Sequence, residues 1–403
     1  MKKRILFVDD EPNILEGLQR MLRDMRQEWD MHFAKSGQEA LDCLSREPFD
    51  VVISDMRMPG MDGAQLLTEV MRRHPQIVRI ILSGHSDQDI ILKAVRPAHQ
   101  YLSKPCDPET LKSVVRRACA VRDLLADASI KRMISTMESL PTLPSLYVEI
   151  MEELRSPNAS IQKTGKIISK DVGMTAKVLQ LVNSAFFGLP RHVSSPGQAV
   201  ALIGLDTVKA LVLSVHIFTQ FAPKELTSLE GLWKHSLTTS LFAKIIAREE
   251  NQKQTFIDDC FMTGLLHDLG KLILSVNLPD RYRQIHAGAI ERNISLWDAE
   301  REVLGVTHSE VGAYLLGLWG LPDDTVEGLA FHHCPNACQR SNFSLLTAVH
   351  SANALAHEEC AEKSMEVLPH IDVDYLSKLG IANRLPRWKE VCSKALKEGA
   401  IND

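Results

Sequence analysis

The chain has no apolar stretch approaching the roughly 18–20 residues of a membrane span, so no spanning helix and no membrane partner is expected. It has no excess of positive charge: 46 Lys and Arg against 51 Asp and Glu leave a net charge of −5. With no C-terminal recognition-helix pattern either, nothing favours DNA as a partner. Its eight cysteines follow no paired framework, which fits reduced thiols in a cytoplasm. The opening MKKRILFVDD meets acids within its first ten residues and does not read as a signal peptide. Internal repeats and low-complexity tracts are missing too. What remains is the composition of a soluble globular protein, 45% hydrophobic and 24% charged, over 403 residues. That length suggests two or three domains.

Four apolar runs stand out in the first 105 residues: RILFVDD (4–10), DVVISD (50–55), RIILSG (79–84) and QYLSKP (100–105), with DMHFA (30–34) as a fifth candidate. Each reads as a strand buried on both faces of a parallel sheet. The polar residue of each run lies at its C-terminal end, where open α/β sheets bind ligands. Asp9, Asp10, Asp55, Ser83 and Lys104 should therefore converge at one mouth. Clustered carboxylates repel one another unless a hard cation sits among them, and oxygen-only ligands suit Mg²⁺. An aspartate held beside that ion can attack a phosphoryl group, while Ser83 and Lys104 bind the phosphoryl oxygens.

This segment resembles the receiver domain of two-component response regulators, over roughly residues 1–121. The resemblance implies a doubly wound, flavodoxin-like (βα)₅ fold, Asp55 as phosphoacceptor, and Asp9, Asp10 and Asp55 around Mg²⁺. Met58-Pro59-Gly60 and Asp62-Gly63 match the loop after the acceptor, and Lys104-Pro105 matches a pair whose peptide bond is cis in that family. Ser83 and Tyr101 fall at its switch positions. A cognate sensor histidine kinase is the implied phosphodonor.

The last receiver helix should begin at Asp107-Pro108, an N-cap followed by Pro at the first helical position. No Gly or Pro interrupts it before Pro141. Val114, Ala118, Val121, Leu125 and Ala128 follow a 4-3-4-3 spacing, a short seam able to pair two copies as a homodimer. Residues 122–138 then form a helical linker. Beyond about Met133 no convincing strand is seen. Ser195-Pro196-Gly197-Gln198 reads as a capping box. Asp206 reads as an N-cap for a helix over 207–218, and helical spacing recurs over 239–250, 258–274 and 309–320. The second half is expected to be all-α.

His235, His267, Asp268, His308, His332, His333 and Asn353 form a second constellation, with Lys271 near Asp268 in HDLGK (267–271). Mixed nitrogen and oxygen ligands could build one or two centres for Fe, Mn or Zn, able to bridge a phosphodiester and activate water. LPTLP (140–144), KDVGMTAKVLQLVNSAFFG (170–188) and GQAVALIGLDTVKAL (197–211) resemble the HDOD output domain, a relative of the HD phosphohydrolases and HD-GYP phosphodiesterases. The implied division is a receiver at 1–121, the linker, an HDOD domain at 139–335, and a C-terminal helical extension at 336–403 that completes the HD-like bundle.

The histidines, Asp268 and Lys271 match the HD-GYP ligand pattern, with two departures. Asn353 stands where the last metal-binding aspartate is expected, so divalent-metal affinity should fall. CPNACQR (334–340) replaces the Gly-Tyr-Pro loop, which argues against cyclic di-GMP as a substrate. Cys334 and Cys338 are read as reduced structural thiols. Two functions follow: a phosphorelay response regulator that signals through an unknown downstream protein partner, or a receiver-controlled metal phosphohydrolase using His267, Asp268 and Lys271.

Overall fold

Strands β1 (Lys3–Val8), β2 (Trp29–Ala34), β3 (Val51–Asp55), β4 (Val78–Gly84) and β5 (Gln100–Lys104) pair in parallel, in the order β2-β1-β3-β4-β5. The computed structural model describes residues 2–84, 97–125, 127–137, 140–142, 144–156, 158–183, 193–205, 208, 218–220, 226–360 and 370–398. Both faces of the sheet are covered, which is why the strands read as near-continuous apolar runs. Ile5, Phe7, Ile53 and Leu82 face helices α1 (Pro12–Met21) and α4 (Pro108–Asp123). Leu6, Val8, Val52 and Ile81 face α2 (Gly37–Arg46) and α3 (Gly63–Arg73). The side-chain alternation of a strand sorts each run between the two layers. This is the doubly wound α/β receiver fold.

The start of α4 follows its local chemistry: the Asp107 side chain accepts from the Thr110 amide, with Pro108 in the first turn. The long unbroken helix expected after it is absent. α4 ends at Asp123, and α5 (Ala128–Ser135) restarts from Asp127, whose carboxylate caps the Ile130 amide. The 4-3-4-3 seam is spent within the chain. Ala118, Val121 and Leu125 are buried in a core shared with the second domain, and Ala128 is exposed on the far side of the break. This corrects the expected pairing seam, because one apolar stripe serves an intramolecular neighbour as readily as a second copy.

The second domain is largely helical. Its described helices are α6 (Pro144–Arg155), α7 (Ile161–Ser169), α8 (Val172–Asn183), α9 (Pro196–Ile203), α10 (Leu226–Glu249), α11 (Gln254–Leu266), α12 (Leu269–Asn277), α13 (Pro279–Arg292), α14 (Leu296–Leu304), α15 (His308–Leu318), α16 (Asp323–Ala330), α17 (Leu345–Cys360), α18 (Val373–Lys378) and α19 (Leu385–Lys397). A three-residue parallel pair, β6 (Leu140–Thr142) with β7 (Phe218–Gln220), departs from the all-α expectation. Three residues are too short to show a period. Ser195 accepts from the Gln198 amide, which is one half of the expected capping box. Asp206 and most of 207–218 lie outside the described residues, and Phe218 belongs to β7. The helix expected over 258–274 is two helices, broken at His267-Asp268. Towards the C-terminus, Tyr375, Leu376 and Trp388 close a core with Phe242, Ile246, Val349 and Ala352 of α10 and α17.

The receiver sits on this bundle through β5 and α4. Gln100 Nε2 donates to the Leu318 carbonyl at 2.9 Å. Arg117 pairs with Asp323 at 2.8 Å. Val121 packs on Gly317, where a Cβ would come within 2.5 Å of it. Beneath, the buried Arg79 guanidinium donates to the carbonyls of Pro97 at 2.6 Å on one side and Ser135 of α5 at 2.6 Å on the other, with the His99 ring at 2.9 Å. Burial without a carboxylate partner pulls Arg79 down to about 9.

Candidate functional sites: a carboxylate mouth and a histidine centre

Asp55 ends β3, Asp9 and Asp10 follow β1, and Lys104 ends β5, so the sheet itself brings them together. Lys104 Nζ contacts Asp9 Oδ2 at 2.7 Å and also holds Asp55 Oδ1. The Glu11 amide donates to Asp9 at 3.0 Å, and the Arg57 amide donates to Asp55. Burial raises the Asp55 carboxyl above its usual range, against the pull of Lys104. Burial likewise opposes the Lys104 charge, but Asp55 and Asp9 outweigh it and raise its pKa. Asp10 is part-exposed beside them. Three carboxylates are the donor set a hard cation prefers, so Mg²⁺ fits these residues. Gly63 lets α3 start against the Asp55 carbonyl, where any Cβ would collide. Ser83 pairs with Ser103 in the ladder, and its side chain lies outside the described residues. Tyr101 is buried on the α2–α3 side of the sheet. The Lys104-Pro105 bond is cis.

The second cluster forms where helices break. His267 and Asp268 occupy the joint between α11 and α12, His308 opens α15, and His332-His333 follow α16. His235 comes from α10 and Asn353 from α17. Gly270 allows α12 to cross the start of α15 with backbone against backbone, which brings Asp268 to His308. Asp268, His308, His332 and His333 offer donor atoms within 4.8 Å of one another, and so do His235, His267 and Asp268. The cluster is almost fully buried. Burial penalises the Asp268 charge, yet His267 and Lys271 hold its carboxyl well below the carboxylate range. Burial drives His235, His332 and His333 well below the ordinary imidazole range, keeping them neutral as ligands must be. Such nitrogen-rich donors fit Fe, Mn or Zn better than Mg²⁺.

Two neighbours of the cluster, Glu300 and His357, are absent from the sequence reading. Glu300 of α14 is buried, accepts from His308 Nδ1 at 2.7 Å and takes the Tyr282 hydroxyl at 2.6 Å. His357 lies one turn beyond Asn353, its ring 4.1 Å from that of His235. A histidine one helical turn from Asn353 was the available hint; nothing marked Glu300. Cys334 and Cys338 stay outside the cluster. Burial raises both thiols, with Glu327 helping to push Cys338 up to about 11.

A model of the response regulator receiver domain matches residues 5–116, and a model of the HDOD domain matches residues 140–335. The chain belongs to the response regulator family. It pairs a receiver domain with an HDOD domain. Among curated relatives, an uncharacterized protein of Treponema pallidum (strain Nichols) is 29% identical over 238 residues, 58% of this chain and 45% of that protein. The hydrogenase transcriptional regulatory protein HoxA of Cupriavidus necator is 38% identical over 30% of this chain and 25% of its own length. The regulator thus spans less than half the length of these relatives. Among solved structures, the signal receiver domain of an HD domain-containing protein from Pseudomonas fluorescens Pf-5 is 34% identical, with 30% of this chain and 98% of that one covered and a TM-score of 0.29. The MmoQ response regulator of Methylococcus capsulatus str. Bath is 22% identical, covering 62% and 98%, with a TM-score of 0.47. A receiver domain implies a phosphodonor such as a histidine kinase. No described helix is long and apolar enough to cross a membrane.

Proposed function

We propose that this response regulator accepts a phosphoryl group on Asp55 from a sensor histidine kinase and passes the signal to a protein partner through its HDOD domain. The reading is carried by Lys104, whose ammonium is held between Asp9 and Asp55 at the mouth of the sheet. Mg²⁺ among Asp9, Asp10 and Asp55 would offset the acids and the incoming phosphoryl oxygens. An Asp55 oxygen attacks phosphorus, the bond to the donor nitrogen breaks, and the carboxylate becomes an acyl phosphate. Lys104 must then trade a carboxylate for a phosphoryl oxygen. It closes β5, the strand whose first residue, Gln100, hydrogen-bonds the HDOD domain, so the exchange has a direct mechanical route to the output. Ser83 and Tyr101 would act as the switch residues.

Incubation with acetyl phosphate and Mg²⁺, read by intact mass, tests the chemistry. One added phosphoryl group is expected on the wild type and none on Asp55→Asn; equal labelling of the two rules the assignment out. The buried histidine cluster favours a second reading, metal-dependent phosphohydrolysis. Anaerobic loading with Fe²⁺ or Mn²⁺ and assay of a generic phosphodiester decides it: turnover lost in Asp268→Ala would establish an enzyme.

A further inference from the structure

The two oxygens of Asp268 serve different neighbours. Oδ1 lies 3.3 Å from His308 Nε2 and 3.7 Å from His332 Nε2. Oδ2 lies 3.3 Å from His267 Nε2 and 3.7 Å from His235 Nε2, and accepts from Lys271 Nζ at 2.7 Å. One carboxylate therefore divides the cluster into halves.

The Oδ1 half is arranged for an ion. His308 Nδ1 donates to Glu300, and His332 Nδ1 donates to the Leu329 carbonyl at 2.7 Å. A neutral imidazole that donates through Nδ1 presents a lone pair at Nε2. Glu300 also accepts the His308 backbone N–H at 2.7 Å, so ring and backbone are fixed by one buried carboxylate. His333 Nε2 stands 3.0 Å from His308 Nε2. Among the described residues, His332 Nε2 and Asp268 Oδ1 are buried without a hydrogen-bond partner, an arrangement proteins ordinarily avoid. Three of the six donor separations, 3.0, 3.3 and 3.7 Å, bracket the edge of about 3.3 Å of a tetrahedron whose metal–ligand bonds are about 2.0–2.1 Å, and all six lie within 4.8 Å.

The Oδ2 half is arranged against one. His235 Nε2 is already 2.9 Å from Asn353 Oδ1, a neutral group in the place of a charged ligand. The Lys271 ammonium covers Oδ2, and an entering cation would meet it head on. That leaves His267 Nε2, 3.3 Å from the same oxygen, as the remaining donor of this half among the described residues.

We propose that the HDOD domain binds a single borderline divalent metal, zinc fitting best, in a closed four-donor site of Asp268, His308, His332 and His333. Glu300 is its positioning residue, and the metal is a fastener, not half of a hydrolytic pair. Three imidazoles and one carboxylate complete a tetrahedral shell and leave no position for water or substrate. The site clamps the start of α15, whose other end, Gly317 and Leu318, supports the receiver. The proposal deepens the reading of the HDOD domain as an output module without turnover and rests on it; it does not depend on phosphorylation of Asp55.

The test titrates the chelator-stripped full chain with Co²⁺ and Zn²⁺, with metal analysis and visible spectra. The expected result is one equivalent per chain and the intense tetrahedral Co²⁺ bands. Binding should survive His235→Ala, fall at least a hundredfold in His332→Gln, and weaken about 10–100-fold in Glu300→Gln with a shifted Co²⁺ spectrum. Asn353→Asp combined with Lys271→Met, which removes both obstacles in the Oδ2 half, should admit a second equivalent. Two equivalents in the wild type, none at all, an octahedral spectrum, or equal losses in His235→Ala and His332→Gln would overturn it. Wild-type stoichiometry and spectrum decide the matter even if a variant fails to fold. Phosphodiester turnover by the one-metal protein would instead sink the non-hydrolytic reading, and acetyl phosphate labelling of the same preparation tests the receiver separately.

Discussion

The regulator holds two buried charge clusters, and they solve opposite problems. At the receiver mouth three acids crowd together, and a lysine from a neighbouring strand offsets them where the sheet opens to solvent. In the HDOD centre one acid is surrounded by imidazole rings and closed over by helices. The first suits a hard cation and a group that come and go; the second suits a resident metal. The difference lies in who offsets the carboxylate. Lys104 reaches across from β5 and can change partners, whereas Lys271 sits three residues from Asp268 on the same turn.

Lys104→Ala should break the comparison hardest. Removing the ammonium takes away one of the two positive charges that offset Asp9, Asp55 and the incoming phosphoryl group, and losses of about 10²–10³ in rate are typical when such a donor is deleted. The rate of acetyl phosphate labelling measures it, and metal content of the histidine centre should not move. A smaller effect is expected from Gly317→Val. The new side chain must displace Val121, where even a Cβ comes within 2.5 Å, and overpacking of this kind costs about 1–3 kcal/mol. Thermal unfolding and amide exchange across α4 should report it, and unchanged exchange would show that the domains part without cost.

Acidification should give the smallest effect. Burial, and then Arg79, holds the His99 ring well below the ordinary imidazole range. Undocked, it would titrate near about 6.5. The undocked state therefore binds more protons, docking is fully supported above that pH, and it weakens as pH falls below it, by at most about 1.4 kcal/mol per unit. Exchange across α5 at pH 7.5 and 5.5 measures the loss, and His99→Gln should flatten the dependence.

The receiver site was legible because its ligands close short apolar strands, so sequence position and spatial position nearly coincide. The HDOD centre was legible as a set of ligand types, but not as two unequal halves. Which oxygen of Asp268 faces Lys271, and that Glu300 stands behind His308, depend on how α12, α14 and α15 cross. The linker was misread for a different reason. The apolar spacing runs on through the break that Asp127 caps, and spacing alone does not say whose surface a stripe will cover. The contact of Gln100 with Leu318 had no sequence counterpart, because it joins backbone to side chain across 218 residues.

The central claim is that a phosphoryl group on Asp55 is felt by the HDOD domain through β5 and α4. Amide exchange over Pro108–Asp123 and His308–Leu318, with and without acetyl phosphate and Mg²⁺, tests it most directly in wild type and Asp55→Asn. The account predicts altered exchange in both segments of the wild type and none in the variant. Full labelling of Asp55 with unchanged exchange in both segments would contradict it.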